Sequence, residues 1–313
     1  MEEIRFDGQV AIVTGARRGL GEAHALELGR RGAKVVVNGT PGSPGLEKVA
    51  RAIEADGGTA IAAAHDVATR AGGQALVADA IDAFGRLDVL VNNAGILRAG
   101  YFEDLDDAKI DDIFDIHLKS LFYVTQPAFA HMREARYGRI VNTSSNTAFG
   151  MVALASYAAA KAGVLGFTKT LALEGAEANV LVNCVMPNAA TPAMENDPIP
   201  GFEEDTRFAA AFEQIMPRFR TDLITPLVAY LASLSCTVTG EAYSSLGGRF
   251  ARVFYGVTEG WLAADDTVAA EDVESHLDQI NALGDFIVPA KIRDEFESVA
   301  ARTEARQKAE EDK

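Results

Sequence analysis

Tyr157 and Lys161 stand four residues apart in the stretch SYAAAKAG, 156–163, whose small residues read as helix, so one helix face carries both side chains. A phenol is a weak acid with a pKa of about 10, and it exchanges a proton near neutrality only where its anion is stabilised. A lysine ammonium one turn away does that. Tyr157 is therefore the candidate general acid/base and Lys161 its electrostatic partner. A solvated helix face can carry the same two residues to no purpose, so the pair acquires meaning from its surroundings.

From Gly8 the chain runs QVAIVTGARRGLGEAHALELGRRGAKVVVNG: a short apolar run, a glycine turn, an amphipathic segment and a second apolar run. That order predicts a βαβ unit. Gly15, Gly19 and Gly21 fall at the turn, where missing side chains let backbone amides and a helix N-terminus approach a pyrophosphate. Their spacing, Gly-x-x-x-Gly-x-Gly, departs from the commoner Gly-x-Gly-x-x-Gly. A third strand, TAIAAAH, stops at Asp66, and a helix over 75–84 leads to LDVLVNNAG. Its apolar run, 89–91, ends in Asn92, Asn93, Ala94 and Gly95, small and polar residues that suit a cofactor wall at a strand end.

Residues 102–134 read as one long helix with Ile110, Ile113, Phe114, Leu121 and Phe122 on its apolar face, His117 on the same side and an acidic face in water. A fifth strand, RIVNT, ends in Ser144 and Ser145. A sixth, VLVNCVMPNAATPAM, breaks at Pro187, and a Pro/Gly-rich loop through Ala193 to Phe202 has the composition of a lid. Six or seven strands alternating with helices predict an α/β doubly wound parallel sheet, a Rossmann fold in a single domain. The expected organisation is 1–250 for that domain, 251–302 for a C-terminal helical extension packed on it, and 303–313 for a polar tail that frays.

The chain has 313 residues, 48% of them hydrophobic, and a net charge of -16. The charge argues against a nucleic-acid backbone or an anionic membrane surface as partner. No apolar run reaches a membrane span, and MEEIRFDG is acidic where a signal peptide is basic, so a soluble, cytoplasmic protein is expected. Cys184 and Cys236 lie in apolar stretches without metal-ligand spacing and read as core residues; no metal site is expected.

Taken together, TGARRGLG at 14–21, Asp66 and Val67, NNAG at 92–95, a serine before YAAAK and VNCVMPNAAT after it resemble the classical short-chain dehydrogenase/reductase family over roughly residues 6–250. The resemblance implies that Gly15, Arg17, Arg18, Gly19, Leu20 and Gly21 wrap the pyrophosphate and that Asp66 and Val67 contact adenine. It also implies that Asn93, with Ala94 and Gly95, packs near the adenosine ribose. Lys161 and Tyr157 would stand beside the nicotinamide ribose, and Pro187, Ala190 and Thr191 would hold the nicotinamide side. The implied activity is NAD(P)-dependent interconversion of a secondary alcohol and a ketone, with Tyr157 moving the proton and Ser145 steadying the substrate oxygen. The tail GGRFARVFYGVTEGW and the PNA sequence are similar to the branch holding the dehydrogenase part of multifunctional enzyme type 2 and its free-standing bacterial relatives. Substrates there include 3-hydroxyacyl thioesters and some steroid alcohols.

Three positions depart from the family pattern. His117 stands where a catalytic Asn is usual; it too can hydrogen-bond a water. Loop spacing favours Ser144 and strand match favours Ser145 as the substrate-oxygen donor; strand register, being less forgiving than loop length, selects Ser145. Finally, the turn Asn38, Gly39, Thr40 has no ribose-reading acid, which with Arg17 or Arg18 nearby tips the expected cofactor slightly to NADP over NAD. Family helices pair between subunits, so a homodimer or homotetramer acting on a small-molecule alcohol or ketone is expected. A non-catalytic dinucleotide-binding sensor on the same fold is the alternative.

Overall fold

A computed structural model describes residues 3–189, 199–202, 204–263 and 267–311. By internal contacts the chain divides into two units, Met1–Arg252 and Val253–Lys313.

The first unit is built on an eight-stranded, mostly parallel sheet of order β3-β2-β1-β4-β5-β6-β7-β8. The strands are β1 (Val10–Val13), β2 (Lys34–Gly39), β3 (Thr59–Ala64), β4 (Val89–Asn92), β5 (Gly138–Thr143), β6 (Val180–Asn188), β7 (Ala242–Leu246) and β8 (Arg249–Val253). The apolar residues of the central strands β1, β2, β4 and β5 are buried on both faces, as a sheet covered on two sides requires. Ala11, Val13, Val35 and Val37 point to one layer, against Ala25 and Leu28 of α1 (Gly19–Arg30) and Val49 and Ile53 of α2 (Leu46–Ala55). Val10, Ile12 and Val36 point to the other, against Leu76 and Val77 of α3 (Arg70–Phe84) and further residues of the long helix before β5. The order reverses between β1 and β4, so the βα turns after those strands open a crevice at the carboxyl ends.

Three expectations are corrected. The long helix over 102–134 is a 3₁₀ turn (Phe102–Asp104), then α4 (Asp107–Phe114), a π-helical turn (Asp115–Lys119) and α5 (Ser120–Ala135). Asp106 sets the real start by accepting from the Lys109 amide at 2.7 Å. The π turn inserts an extra residue and rotates the helix beyond it, so Ile113 and Leu121 are buried but Phe122 is 51% exposed. Secondly, β6 runs through Pro187, which pairs with Ser245 of β7. On its other side the ladder with β5 has ended at Thr143 and Val185, so the missing proline N–H costs nothing there. Thirdly, the sheet gains β8 through a turn at Gly247 and Gly248, both at positive φ.

The second unit holds two short antiparallel strands, Val257–Thr258 and Phe286–Ile287, and helices Ala270–Ser275, Leu277–Ile280 and Ile292–Glu311. Cys184 and Cys236 are free and buried. No helix among the described residues is long and apolar enough to cross a membrane.

Candidate active site

Helix α6 (Ala155–Gly175) leaves the end of β5 and presents Tyr157 and Lys161 one turn apart. The buried Lys161 Nζ donates to the carbonyl of Thr143, the last residue of β5, at 2.7 Å and lies 5.7 Å from the Tyr157 ring centroid. Removal from water draws this ammonium down from 10.5 to about 8. Burial likewise pushes the Tyr157 phenol up to about 12, against a side-chain hydrogen bond with Ser145 that works the other way. Burial, rather than the neighbouring lysine, sets the direction for the phenol.

The two serines diverge. Ser144 is buried and donates to the Lys161 carbonyl at 2.7 Å, tying β5 to α6. Ser145 makes the hydrogen bond with Tyr157, and its Oγ accepts from the Thr147 amide at 3.2 Å.

His117 comes from the π turn, which swings its ring against Tyr157 edge-on, with centroids 4.9 Å apart. Its Nε2 lies 2.6 Å from the Ile96 carbonyl and 3.1 Å from the Ile96 amide nitrogen. Nδ1 is buried with no hydrogen-bond partner. Desolvation, then the Lys161 charge, hold this ring neutral, well below the usual histidine range.

Next to these residues lies a cleft of about 720 Å³ that reaches the glycine turn. Gly15, at φ +61°, packs so closely that a Cβ would stand 2.8 Å from the Ala94 Cα, and one on Gly21 would stand 2.4 Å from the Gly15 carbonyl. No side chain caps α1, whose first amides open at Gly19 and Leu20 on the cleft. Thr14, which the sequence motif contains but its chemistry did not single out, accepts from the amides of Asn93 and Ala94 at 2.9 and 3.0 Å. Asn93 returns the link through Nδ2 to the Thr14 carbonyl at 3.0 Å. A tight glycine turn, a free helix N-terminus and a braced wall fit the pyrophosphate and adenosine of a dinucleotide.

Of the residues singled out in the sequence, the cleft is lined by Gly15, Arg17, Arg18, Gly19, Leu20, Asn38, Gly39, Thr40, Val67, Asn93, Ala94, Gly95, His117, Ser144, Ser145, Tyr157, Lys161 and Pro187. Gly21 and Asp66 are not on its wall: Gly21 sits behind the turn, and the Asp66 carboxylate accepts from the Ala68 amide at 3.0 Å while His65 and Val67 line the cleft. Ala190 and Thr191 lie outside the described residues, as do 193–198 of the expected lid. Arg17 and Arg18 form no ion pair among the described residues; burial and the charge of Arg18 lower Arg17. The cleft's other end is apolar. There Phe202 packs edge-on against Phe208 and Phe212 at 5.1 and 5.0 Å, and Phe208, Phe212 and Ile215 project from the helix Thr206–Ile215. The i, i+4 spacing of Phe208 and Phe212 was the available signal.

The profile of the short chain dehydrogenase family matches residues 9–199, more than half of the sequence. The chain belongs to the short-chain dehydrogenases. It is an oxidoreductase of that family, which uses NAD(P). It is 41% identical over 255 residues to the peroxisomal multifunctional enzyme type 2 of Drosophila melanogaster, covering 79% of this chain and 40% of that enzyme. A short-chain type dehydrogenase/reductase of Mycobacterium tuberculosis is 38% identical over 254 residues, 78% of this chain and 84% of that protein. Among solved structures, the full-length fly enzyme superposes with a TM-score of 0.78 at 31% identity, over 96% of this chain and half of that one. The short-chain dehydrogenase described here thus spans about two-fifths of the curated fly relative.

Proposed function

We propose that this short-chain dehydrogenase interconverts a secondary alcohol and a ketone, with Tyr157 as proton carrier, Lys161 and Ser145 as its electrostatic and hydrogen-bonding partners, and NADP slightly favoured over NAD. The convergence of Tyr157, Ser145 and Lys161 at the cleft that also holds the glycine turn carries the reading. A nicotinamide coenzyme held along the glycine turn and beside Lys161 would supply the hydride acceptor in oxidation and the hydride donor in reduction. The chain's part is the proton and the charge. In reduction the neutral Tyr157 phenol donates to the substrate oxygen while Ser145 hydrogen-bonds that oxygen and steadies its developing charge. In oxidation the flow reverses, and the Lys161 ammonium, one helical turn from the phenol, favours the phenolate. The neutral His117 leaves its Nδ1 to hydrogen-bond a water in the proton path.

Gly39 supports the coenzyme preference. A Cβ there would stand 3.7 Å from Arg17 Cβ, and both residues line the cleft, so a ribose 2′-phosphate at this turn would have the Arg17 side chain within reach and no carboxylate beside it. The phenylalanine-lined end suits an apolar substrate body, and the resemblance to the multifunctional enzyme type 2 branch extends the proposal to 3-hydroxyacyl thioesters or hydroxysteroids. A cytoplasmic location belongs to the same proposal and is checked by fractionation, since the fly relative is named peroxisomal.

The test is turnover of NAD(P)H or NAD(P) against acyl-thioester, steroid and small-carbonyl panels. Tyr157→Phe removes only the transferring hydroxyl, so it abolishes turnover and leaves coenzyme affinity within a few fold. A Phe variant that keeps a substantial fraction of kcat refutes the assignment; coenzyme binding with no turnover by wild type supports a sensor.

A further inference from the structure

Ala153 holds a backbone conformation that alanine rarely adopts. Its φ is +63°, and of the three non-glycine residues at positive φ among those described it alone does not close a helix, since Arg136 ends α5 and Asn179 ends a 3₁₀ turn. In this left-handed region a Cβ crowds the following carbonyl, so glycine is the usual occupant. Ala153 is the third residue of a turn that the Leu154 amide closes on the Met151 carbonyl at 3.3 Å, a place where positive φ calls for glycine or asparagine. Strain of this kind persists only where the surroundings impose it. Here the Ala153 carbonyl accepts from the Gly100 amide at 2.9 Å, which joins the turn to the loop after β4.

The same turn is the entry to the helix that carries the phenol. α6 starts at Ala155 with no side-chain cap, and Ser156 Oγ, in its first turn, has no hydrogen-bond partner. Tyr157 lies in that first turn. Lys161, one turn further on, is tied to β5 twice, through Nζ to the Thr143 carbonyl and through its own carbonyl to Ser144. The start of the helix leans instead on what precedes it. Leu154, 2% exposed, packs with Leu97 and Ala99 across the Gly100 link, and Tyr157 packs against that cluster together with Met151 and Ile199. Met151, Val152 and Leu154 line the cleft, whereas Ala153 is off its wall. Its influence on the site runs through the backbone.

We propose that Ala153 is a positioning residue: its left-handed conformation sets the turn Met151–Leu154 that seats Leu154 against Tyr157 and fixes the phenol relative to Ser145 and Lys161. The inference rests on the alcohol/ketone reading above and deepens it. The readout is the single-turnover rate of NAD(P)H oxidation by a ketone that wild type reduces, beside the NAD(P)H Kd and the Tm. Ala153→Val puts a β-branched residue where positive φ is least tolerated, so the turn changes shape. It is expected to slow the hydride step at least about fivefold, because a reacting group displaced by an ångström can lose up to about a hundredfold. The coenzyme Kd should stay within twofold, since the glycine turn and Lys161 are held independently. Ala153→Gly keeps the turn and relieves the strain, so its rate stays within fivefold of wild type and its Tm is no lower. Should Ala153→Val fail to fold, Leu154→Ala decides by the same split, since it removes the contact through which the turn bears on the phenol. A smaller rate loss in the folded variant overturns the proposal and leaves the Tyr157 assignment standing. So does a rate loss accompanied by weaker coenzyme binding, which is general loosening. A glycine variant with a lower Tm or a hydride step more than fivefold slower also overturns it, assigning the effect to the methyl group. If wild type reduces no carbonyl of the panel, the catalytic reading itself fails and the proposal with it.

Discussion

Replacing Lys161 by methionine isolates the cost of burying an ammonium at this site. Lys161 is 3% exposed, and its hydrogen bond to the Thr143 carbonyl does not replace a hydration shell. The folded value of about 8 lies below the 10.5 of an unperturbed lysine. Between those values the unfolded chain binds more protons than the folded one, so stability rises with pH across that window and the penalty is complete below it. At pH 7 the penalty is about 3 kcal/mol, and about 2 kcal/mol of it is relieved by pH 9.5. Methionine carries no such term. It does forfeit the bond to Thr143, an offset of about 1 kcal/mol independent of pH, so the informative quantity is the slope and not the absolute stability. Urea unfolding of both proteins at pH 7 and pH 9.5 should show wild type gaining about 2 kcal/mol on the variant over that interval. The Tyr157 contribution is common to both and cancels. Parallel stabilities across the interval would refute the reasoning, because they require Nζ to be hydrated in the folded protein and the wall around it to be open.

Ser145→Ala should lower kcat/KM by about 10²-fold, the usual loss when a donor to the reacting oxygen is removed, whereas Ser144→Ala, which loses the bond to the Lys161 carbonyl, should show mainly as a lower Tm; the reverse pattern exchanges their roles. Gly39→Asp brings a carboxylate to the turn where only the flexible end of Leu46 crowds a Cβ, at 3.3 Å. It should move the NADP/NAD ratio of kcat/KM at least about tenfold toward NAD, by repelling a 2′-phosphate and accepting from a ribose hydroxyl; an unchanged ratio means that Gly39 does not face the ribose. Phe122 and Leu173 leave apolar surface exposed on α5 and α6, so light scattering at micromolar concentration should report a dimer or tetramer, and a monomer overturns that expectation.

The range of the interactions involved decides which features could be read from the sequence and which could not. The βαβ start, the glycine turn and the Tyr157–Lys161 face are set by spacing within a few residues, and local spacing is visible in one dimension. The choice between Ser144 and Ser145 was approachable for the same reason: both follow a strand whose register allows little slippage. The π turn at 115–119 was invisible because its cause is tertiary. His117 takes up the Ile96 carbonyl and the edge of Tyr157, partners 21 residues upstream and 40 downstream, and a helix that absorbs an extra residue to reach them keeps an ordinary periodicity. Pro187 misled in the other direction. A proline is a sound reason to end a strand wherever both edges are paired, but one edge of β6 had already been vacated by β5. That vacancy depends on where a neighbouring strand stops, and it is also what carries Asn188 out to the cleft. Asn188 therefore owes its place on the cleft wall to strand ends that differ by three residues, a quantity no single segment of the chain encodes.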